Sequence, residues 1–574
     1  MPRSFRQNYI DKVEELAQKM RTEAMPEPTE ALFALFEQTG NRLQYEAVYF
    51  KRRKFLAVFG MAALIFKRAE DVKKLEEVLY SVCEEECWAL PAHVNRREDA
   101  QWRHSVDLFA SETAQTLAEI ISLVGEEGGL SHELCERVRK EIEERVFTPF
   151  FSSKPNYGCW ECCDHNWNAV CAGGIGSACI YLMQGKEEER LAKCLERLCN
   201  SLTHYLDGFR EDGTCMEGIG YFTYGMTYFV GFAEQLYRYT NGKTDLFQNE
   251  KLRKIAEFQQ KMYFAGGCTV SFSDGEERAK YRMGLTSFLA EKYDTVLVPA
   301  EHLAAGFEED TCYRFMGLCR DYLWTKDEER EETVQEAKSR HDTLESAQWS
   351  ICESENGTAL AIKGGHNGEP HNHNDIGSFL YLIGEEQLLV DLGAGEYTKE
   401  YFGGGRYEIL CNSSLGHSVP IIGERLQKDG AWHKADHFWT DGNGITKVSY
   451  ASAYPLGTVK ELERETEFDM QTGKLTVTDR FTFEKYSRFT EQLVTRGKVD
   501  IFFHEDASVV RITGETAACE IHFPAEIHHL HCLEKEHSNH QGETEIVRLI
   551  RWDVPVKLNE TVATWFTVEP LEKK

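Results

Sequence analysis

The sequence has no run of the roughly 18 apolar residues that a membrane-spanning helix needs. Its first ten residues, MPRSFRQNYI, are basic but lead into no apolar stretch, so no secretory leader is expected. These two absences point to a soluble, cytoplasmic protein with no membrane partner. A basic surplus is missing as well: 65 Lys and Arg stand against 95 Asp and Glu, a formal charge of −30. That balance argues against nucleic-acid binding, which needs a basic face. It leaves an anionic small substrate open, because a local pocket of Arg, Lys and His overrules the global sign. The 18 cysteines are scattered through apparent helices and strands (Cys83, Cys179, Cys194, Cys411, Cys532), as in a cytosolic protein that keeps its thiols reduced.

A clean internal repeat is also absent, yet the periodicity is strong. From Tyr9 to about Arg340 apolar residues recur at helical spacing, for example Leu56, Phe59, Ala63 and Phe66 within 45–80, and Ala110, Ala114, Leu117, Ile121 and Val124 within 105–124. Helices arriving one after another favour helix-on-helix packing, as divergent pairs wound into a ring or solenoid. A charged stretch, 321–342, reads as a solvated helix face or linker. After Glu345 the period changes to two. Segments 357–363, 378–383, 447–451, 474–483, 508–513, 545–552 and 561–568 alternate or are rich in Val, Ile, Thr and aromatics, the mark of an antiparallel sandwich. Segment 474–483 puts Leu475, Val477, Phe481 and Phe483 on one face, interrupted only by Asp479. At 574 residues one core is too few. The expected organisation is therefore α+β and multidomain: a helical domain over 1–345, then a β-sandwich domain over 346–574.

Three stretches carry chemistry-bearing residues. The loop GGHNGEPHNHND crowds His366, His371 and His373 ahead of Asp375 and an alternating segment that ends near Asp391. If the loop is extended, His371 and His373 share one face. Imidazoles and carboxylates so placed suit a metal or an acid–base site, while an exposed polar turn or core histidines would read the same way. In CWECCDHNWN, Cys159, Cys162, Cys163 and His165 look superficially like a zinc site, but no second CxxC lies nearby, and buried packing thiols are expected. Asn166, Asn168 and Trp167 follow at a helix start, where an N-cap explains Asn168 as well as a ligand does. In DGTCMEGIGYFTYG, Glu217 precedes Tyr221 and Tyr224, which share a helix face; alone, an aromatic core accounts for them.

Taken together, HNW, then DG…EGxxYxxYG, HNHND, VDLGAGxY and RYEILCNSSLGHSVP resemble, in that order, the heparinase II/III-like polysaccharide lyases, a group that includes heparin, heparan and alginate lyases. The resemblance runs by motif from about Tyr157 to Ile422. It implies an N-terminal incomplete (α/α) toroid followed by a C-terminal antiparallel β-sandwich, and lytic cleavage of a uronate-containing glycan by β-elimination. Carried over residue by residue, it makes Tyr221 the acid and base, with Tyr224 the second choice, and His371 the partner in proton transfer. His373, Asp391 and His417 would hold a structural divalent metal, usually zinc. Asn166 and His165 would face the substrate carboxylate. Glu217, Tyr224, Arg406 and Trp167 complete the candidate substrate-binding set, although Glu217 also reads as a helix-start carboxylate and Arg406 as an exposed turn residue. The chain departs from the family pattern after His417, where Ser418 and Val419 replace Asn-Thr.

The chemistry asks for such groups. Removing the weakly acidic C5 proton and expelling the 4-oxygen builds enolate-like charge that donors or a neutralised carboxylate must meet. A tyrosine with an ordinary pKa of about 10 needs nearby positive charge to act as a base. An anionic oligosaccharide is the expected partner. Without a leader the enzyme would work on imported oligosaccharides as an exo- or oligo-lyase; a homo-oligomer is possible. Two other classes compete: a glycoside hydrolase on an (α/α) barrel, which would need paired carboxylates that these clusters do not offer, and a non-catalytic carbohydrate-binding protein with a structural metal.

Overall fold

A computed structural model describes residues 4–153, 160–326, 339–485, 487–504, 508–524 and 527–571. The chain divides into two compact units that interleave in sequence. The first comprises Met1–Phe209, Tyr221–Glu257 and Lys280–Thr333; the second comprises Arg210–Gly220, Phe258–Ala279 and Val334–Lys574. Cys159 and most of the charged stretch, 327–338, lie outside the described residues.

The first unit is helical. The long periodic stretch from Tyr45 to Tyr80 is two helices, Leu43–Phe66 and Ala69–Cys83. They part at Lys67, which takes a left-handed φ of 53° while its N–H closes on the Ala63 carbonyl. Asp107 starts the helix Leu108–Leu123 by accepting the Ala110 N–H at 2.7 Å. That helix is buried on every side from Leu108 to Ile121, as is nearly all of Asn166–Met183, so both are core helices rather than amphipathic ones. Their contact depends on a small residue, since a Cβ on Gly174 would lie 3.0 Å from the Ser111 carbonyl oxygen; one on Gly173 would lie 2.5 Å from the Tyr228 carbonyl oxygen of the helix Ile219–Tyr239. Buried arginines of this unit meet carboxylates, with Arg52 and Arg53 both on Glu85, and Arg282 on Asp310 and Asp321.

The second unit is antiparallel β. An eight-stranded sheet has Thr561–Leu571, Leu475–Thr482 and Glu461–Phe468 near its middle; a five-stranded meander runs from Arg340–Leu344 to Glu386–Leu389; a four-stranded sheet includes Phe489–Thr495 and Thr544–Val554. Their inner faces share one core around Phe379, Tyr381, Val477, Phe481, Phe489 and Phe566. Fully burying each such side chain contributes about 1.5–3 kcal/mol. The interruption at Asp479 has a physical reason. Its carboxylate faces inward to meet Arg464, 2.6 Å away and wholly buried, whose other nitrogen donates to the Gly377 and Ser418 carbonyls at 2.9 and 2.6 Å. The sheet thus reaches through one arginine to the two loops that carry the histidines.

Candidate acid–base and metal site

The organising residue of the site is one that the sequence motifs pass over, Asp274. It sits in the turn after Phe272, where Ser273 takes a left-handed φ of 60° and the Gly275 N–H closes on the Phe272 carbonyl. The turn packs against VDLGAG so tightly that a Cβ on Gly393, itself at φ 63°, would lie 2.2 Å from the Gly275 carbonyl oxygen. Ser271 also donates to the Asp391 carbonyl at 3.3 Å.

The Asp274 side chain is fully buried and ringed by donors. Oδ2 accepts from His371 Nδ1 at 2.5 Å and from the Tyr397 hydroxyl at 2.9 Å. Oδ1 accepts from His373 Nε2 at 3.0 Å and from the Tyr401 hydroxyl, with an Arg406 nitrogen 3.7 Å away. Burial opposes its charge, but the hydrogen bonds and positive character of His371 and His373 outweigh that, and its pKa falls well below the usual carboxylate range. Burial likewise disfavours charge on His371; the Asp274 hydrogen bond and the charges of Asp274 and Glu217 win, and its pKa is raised. With Nδ1–H given to Asp274, His371 turns Nε2 toward Glu217, 3.6 Å from its carboxylate.

The two histidines do not lie along an extended strand. His371 has φ 54°, a left-handed conformation that bends the loop, and it is this bend, not strand alternation, that sends both rings to one carboxylate. Arg406 is not an exposed turn residue either. It donates to the Asn372 carbonyl from two nitrogens, at 3.2 and 3.0 Å, and to the Tyr401 carbonyl at 3.0 Å, so it braces the histidine loop from behind.

Beside this hub lies a cluster with metal-ligating character. His373 spends Nε2–H on Asp274, and its buried Nδ1 has no hydrogen-bond partner. His417 spends Nε2–H on the Cys411 carbonyl at 2.7 Å, and its Nδ1 faces Asp391 Oδ2 at 3.3 Å with neither atom hydrogen-bonded. Asp375, which the family motif does not supply as a ligand, adds a buried carboxylate. Lys363 Nζ approaches it at 2.9 Å, off the hydrogen-bond direction. Donor atoms of His373, Asp375 and His417 lie within 4.8 Å of one another. Lone pairs buried without partners are costly, and two imidazoles with the Asp375 carboxylate are a donor set that zinc or a similar divalent ion accepts, with Asp391 adjoining it through His417. Each imidazole also carries the outer hydrogen bond that fixes its tautomer for metal binding. The residues present therefore fit a divalent metal.

The remaining candidates lie in the first unit, apart from Glu217, which is buried in the second. His165 is the half-buried residue before the helix Asn166–Met183 and makes no side-chain cap; Asn166 is buried at the first helical position. Asn168 is not an N-cap but a brace, donating to the Glu161 and Ser201 carbonyls at 3.1 and 3.0 Å. Trp167 lies tilted against His93, ring centres 4.8 Å apart, and, with Tyr224, packs on the aromatic cluster of Tyr49, Phe109 and Tyr228. Cys162 and Cys163 are half-buried rather than buried, and the Cys163 thiol donates to the Trp160 carbonyl. Tyr221 is half-buried in the first turn of the helix Ile219–Tyr239. One turn on, the Tyr224 hydroxyl donates to Glu112 under the Arg314 guanidinium, 3.9 Å from its ring centre. Burial pushes the Glu112 carboxyl up to about 7 against the pull of Arg314 and Tyr224.

No family model matches the chain, and no curated protein matches it in sequence. Solved structures do match along its length. Heparan sulfate lyase HepC from Pedobacter heparinus aligns over 100% of this chain and 85% of its own, with TM-score 0.64 and 13% identity. A heparinase III aligns over 99% and 91%, with TM-score 0.65 and 12% identity. The Streptomyces coelicolor A3 chondroitin AC lyase in complex with chondroitin sulphate aligns over 98% and 83%, with TM-score 0.52 and 10% identity. The chain has the fold of these proteins, a helical toroid followed by an antiparallel β-sandwich.

Proposed function

We propose that the protein is a polysaccharide lyase that cleaves uronate-containing, glycosaminoglycan-like oligosaccharides by β-elimination. The observation that carries this reading is the His371–Asp274 pair. A buried carboxylate holds Nδ1–H at 2.5 Å, so the other ring nitrogen is kept for proton transfer. The fold is shared with proteins named as heparan sulfate and chondroitin lyases, and the motif order gives the remaining roles. Tyr221 and His371 move the C5 proton to the departing 4-oxygen. Asn166 and His165 meet the charge that develops on the uronate carboxylate. Glu217, Tyr224, Trp167 and Arg406 shape the surroundings of the sugar. A divalent ion, zinc by the resemblance, is held by His373, Asp391 and His417 with Asp375 beside them; its chemistry is structural, neutralising carboxylates and pinning the loop that presents His371.

Ultraviolet absorbance during incubation with a panel of uronate oligosaccharides tests the reading, because elimination leaves a conjugated C4–C5 double bond and hydrolysis does not. The wild type should generate absorbance with at least one substrate. Tyr221→Phe and His371→Ala should each lose about 10²–10⁴-fold in kcat. Reducing ends without absorbance would instead point to a hydrolase.

A further inference from the structure

Asp274 has more partners than a catalytic base can carry. A carboxylate offers about four lone-pair positions, and two imidazoles and two tyrosine hydroxyls take them. Nothing remains for a substrate proton, and the side chain is fully buried. The partners are divided by oxygen: Oδ2 holds the ring assigned to proton transfer, and Oδ1 holds the ring assigned to the metal. The carboxylate is planar, so a rotation that follows one ring drags the other oxygen from its partner. Its turn is also fixed to the metal side through the backbone, by the Gly275–Gly393 contact and the Ser271 bond to Asp391.

We propose that Asp274 is a shared positioning residue, whose two oxygens lock the proton-transfer imidazole of His371 and the metal-binding imidazole of His373 into one unit. The inference rests on the metal and acid–base roles proposed above. Metal occupancy at His373, Asp391, Asp375 and His417 then sets the orientation of His371, and loss of Asp274 disables both functions at once.

Asp274→Asn keeps the size of the side chain but turns one acceptor oxygen into a donor that faces an N–H. Zinc affinity, measured by competition with a chromophoric chelator, should fall about 10–100-fold. At saturating zinc, kcat on the best uronate oligosaccharide should still be down about 10²-fold, with KM within a few-fold, because a misplaced ring slows the reaction without removing a binding contact. Full recovery of kcat with zinc would show that Asp274 serves His373 alone and would overturn the proposal; so would a loss of kcat with unchanged zinc affinity. Should Asp274→Asn not fold, Tyr397→Phe and Tyr401→Phe each remove one donor. Both variants should then shift both readouts several-fold. If Tyr397→Phe altered only the rate and Tyr401→Phe only the affinity, the two oxygens would be acting separately, and the shared role would be wrong.

A third readout needs no substrate, and so separates failure of this inference from failure of the lyase reading. In protein labelled with ¹⁵N-histidine and assigned with His371→Gln and His373→Gln, adding zinc to chelator-stripped wild type should move the ring-nitrogen signals of His371 as well as those of His373. His371 signals that ignore zinc would overturn the coupling even in an active lyase, whereas coupled signals in a protein that eliminates no glycan would leave the coupling standing.

Discussion

Two buried carboxylates, one in each unit, behave in opposite ways. In the helical unit Glu112 meets the Tyr224 hydroxyl and an Arg314 nitrogen at 3.3 Å, with Asp310 adding repulsion, and burial prevails: its carboxyl is pushed up to about 7. In the β unit Asp274 is as deeply buried, yet four hydrogen bonds hold it in its charged form. Burial alone therefore does not set the charge of a carboxylate; the number and directness of its donors do. Glu112 behaves as part of a packed network, whereas Asp274 has the donor shell of a group that must stay charged to keep other side chains in place.

The largest expected effect lies on the Asp274 side. Stripping divalent metal with a chelator should lower the thermal midpoint of the wild type, and zinc at about a thousand times its Kd should restore about 4 kcal/mol. In Asp391→Asn the gap between stripped and zinc-loaded protein should close. A gap of wild-type size in that variant would remove Asp391 from the ligand set.

Next comes Glu112, which can break the contrast outright. Its folded pKa of about 7 lies above the ordinary 4.5, so between those values the folded chain keeps a proton that the unfolded chain has lost. Stability therefore falls as pH rises through that window and levels off above it, by about 3 kcal/mol at most, at about 1.4 kcal/mol for each pKa unit. Denaturant titrations at pH 5 and pH 8 should show a smaller difference in Glu112→Gln than in the wild type. An unchanged difference would mean that Glu112 ionises as an ordinary carboxylate.

The smallest effect belongs to Tyr224→Phe. It removes one of the donors that favour ionised Glu112, so the window should extend to higher pH, with a stability change of about 1 kcal/mol for the lost hydrogen bond. The same pair of titrations would register it, and a shift to lower pH would contradict the role given to the hydroxyl.

How much of this was legible in the sequence follows from the range of each signal. Side-chain alternation is local, which is why 508–513 reads directly as the strand Ser508–Thr513 and why Asp479 stands out on its face. Helix ends were less legible, since the stop at Lys67 is a left-handed turn with no Gly or Pro to announce it. His371, His373, Asp391 and His417 stand out as residue types in motif order. Asp274 does not: its donors lie 97, 99, 123 and 127 residues away in sequence, and a lone SDG turn has no period that marks it as a hub.

By itself, then, the sequence determined the change from helical to strand periodicity near residue 345, the charge that argues against a nucleic-acid partner, and the residue types gathered in the histidine loop, because each is written in neighbours a few positions apart. Tertiary structure alone decided that Asp274 takes both imidazoles, which ring nitrogen each imidazole keeps, and that Asp375 comes within reach of both His373 and His417. The physical reason is that a buried polar atom must find its partner wherever the folded chain brings one, and no local rule says where that will be.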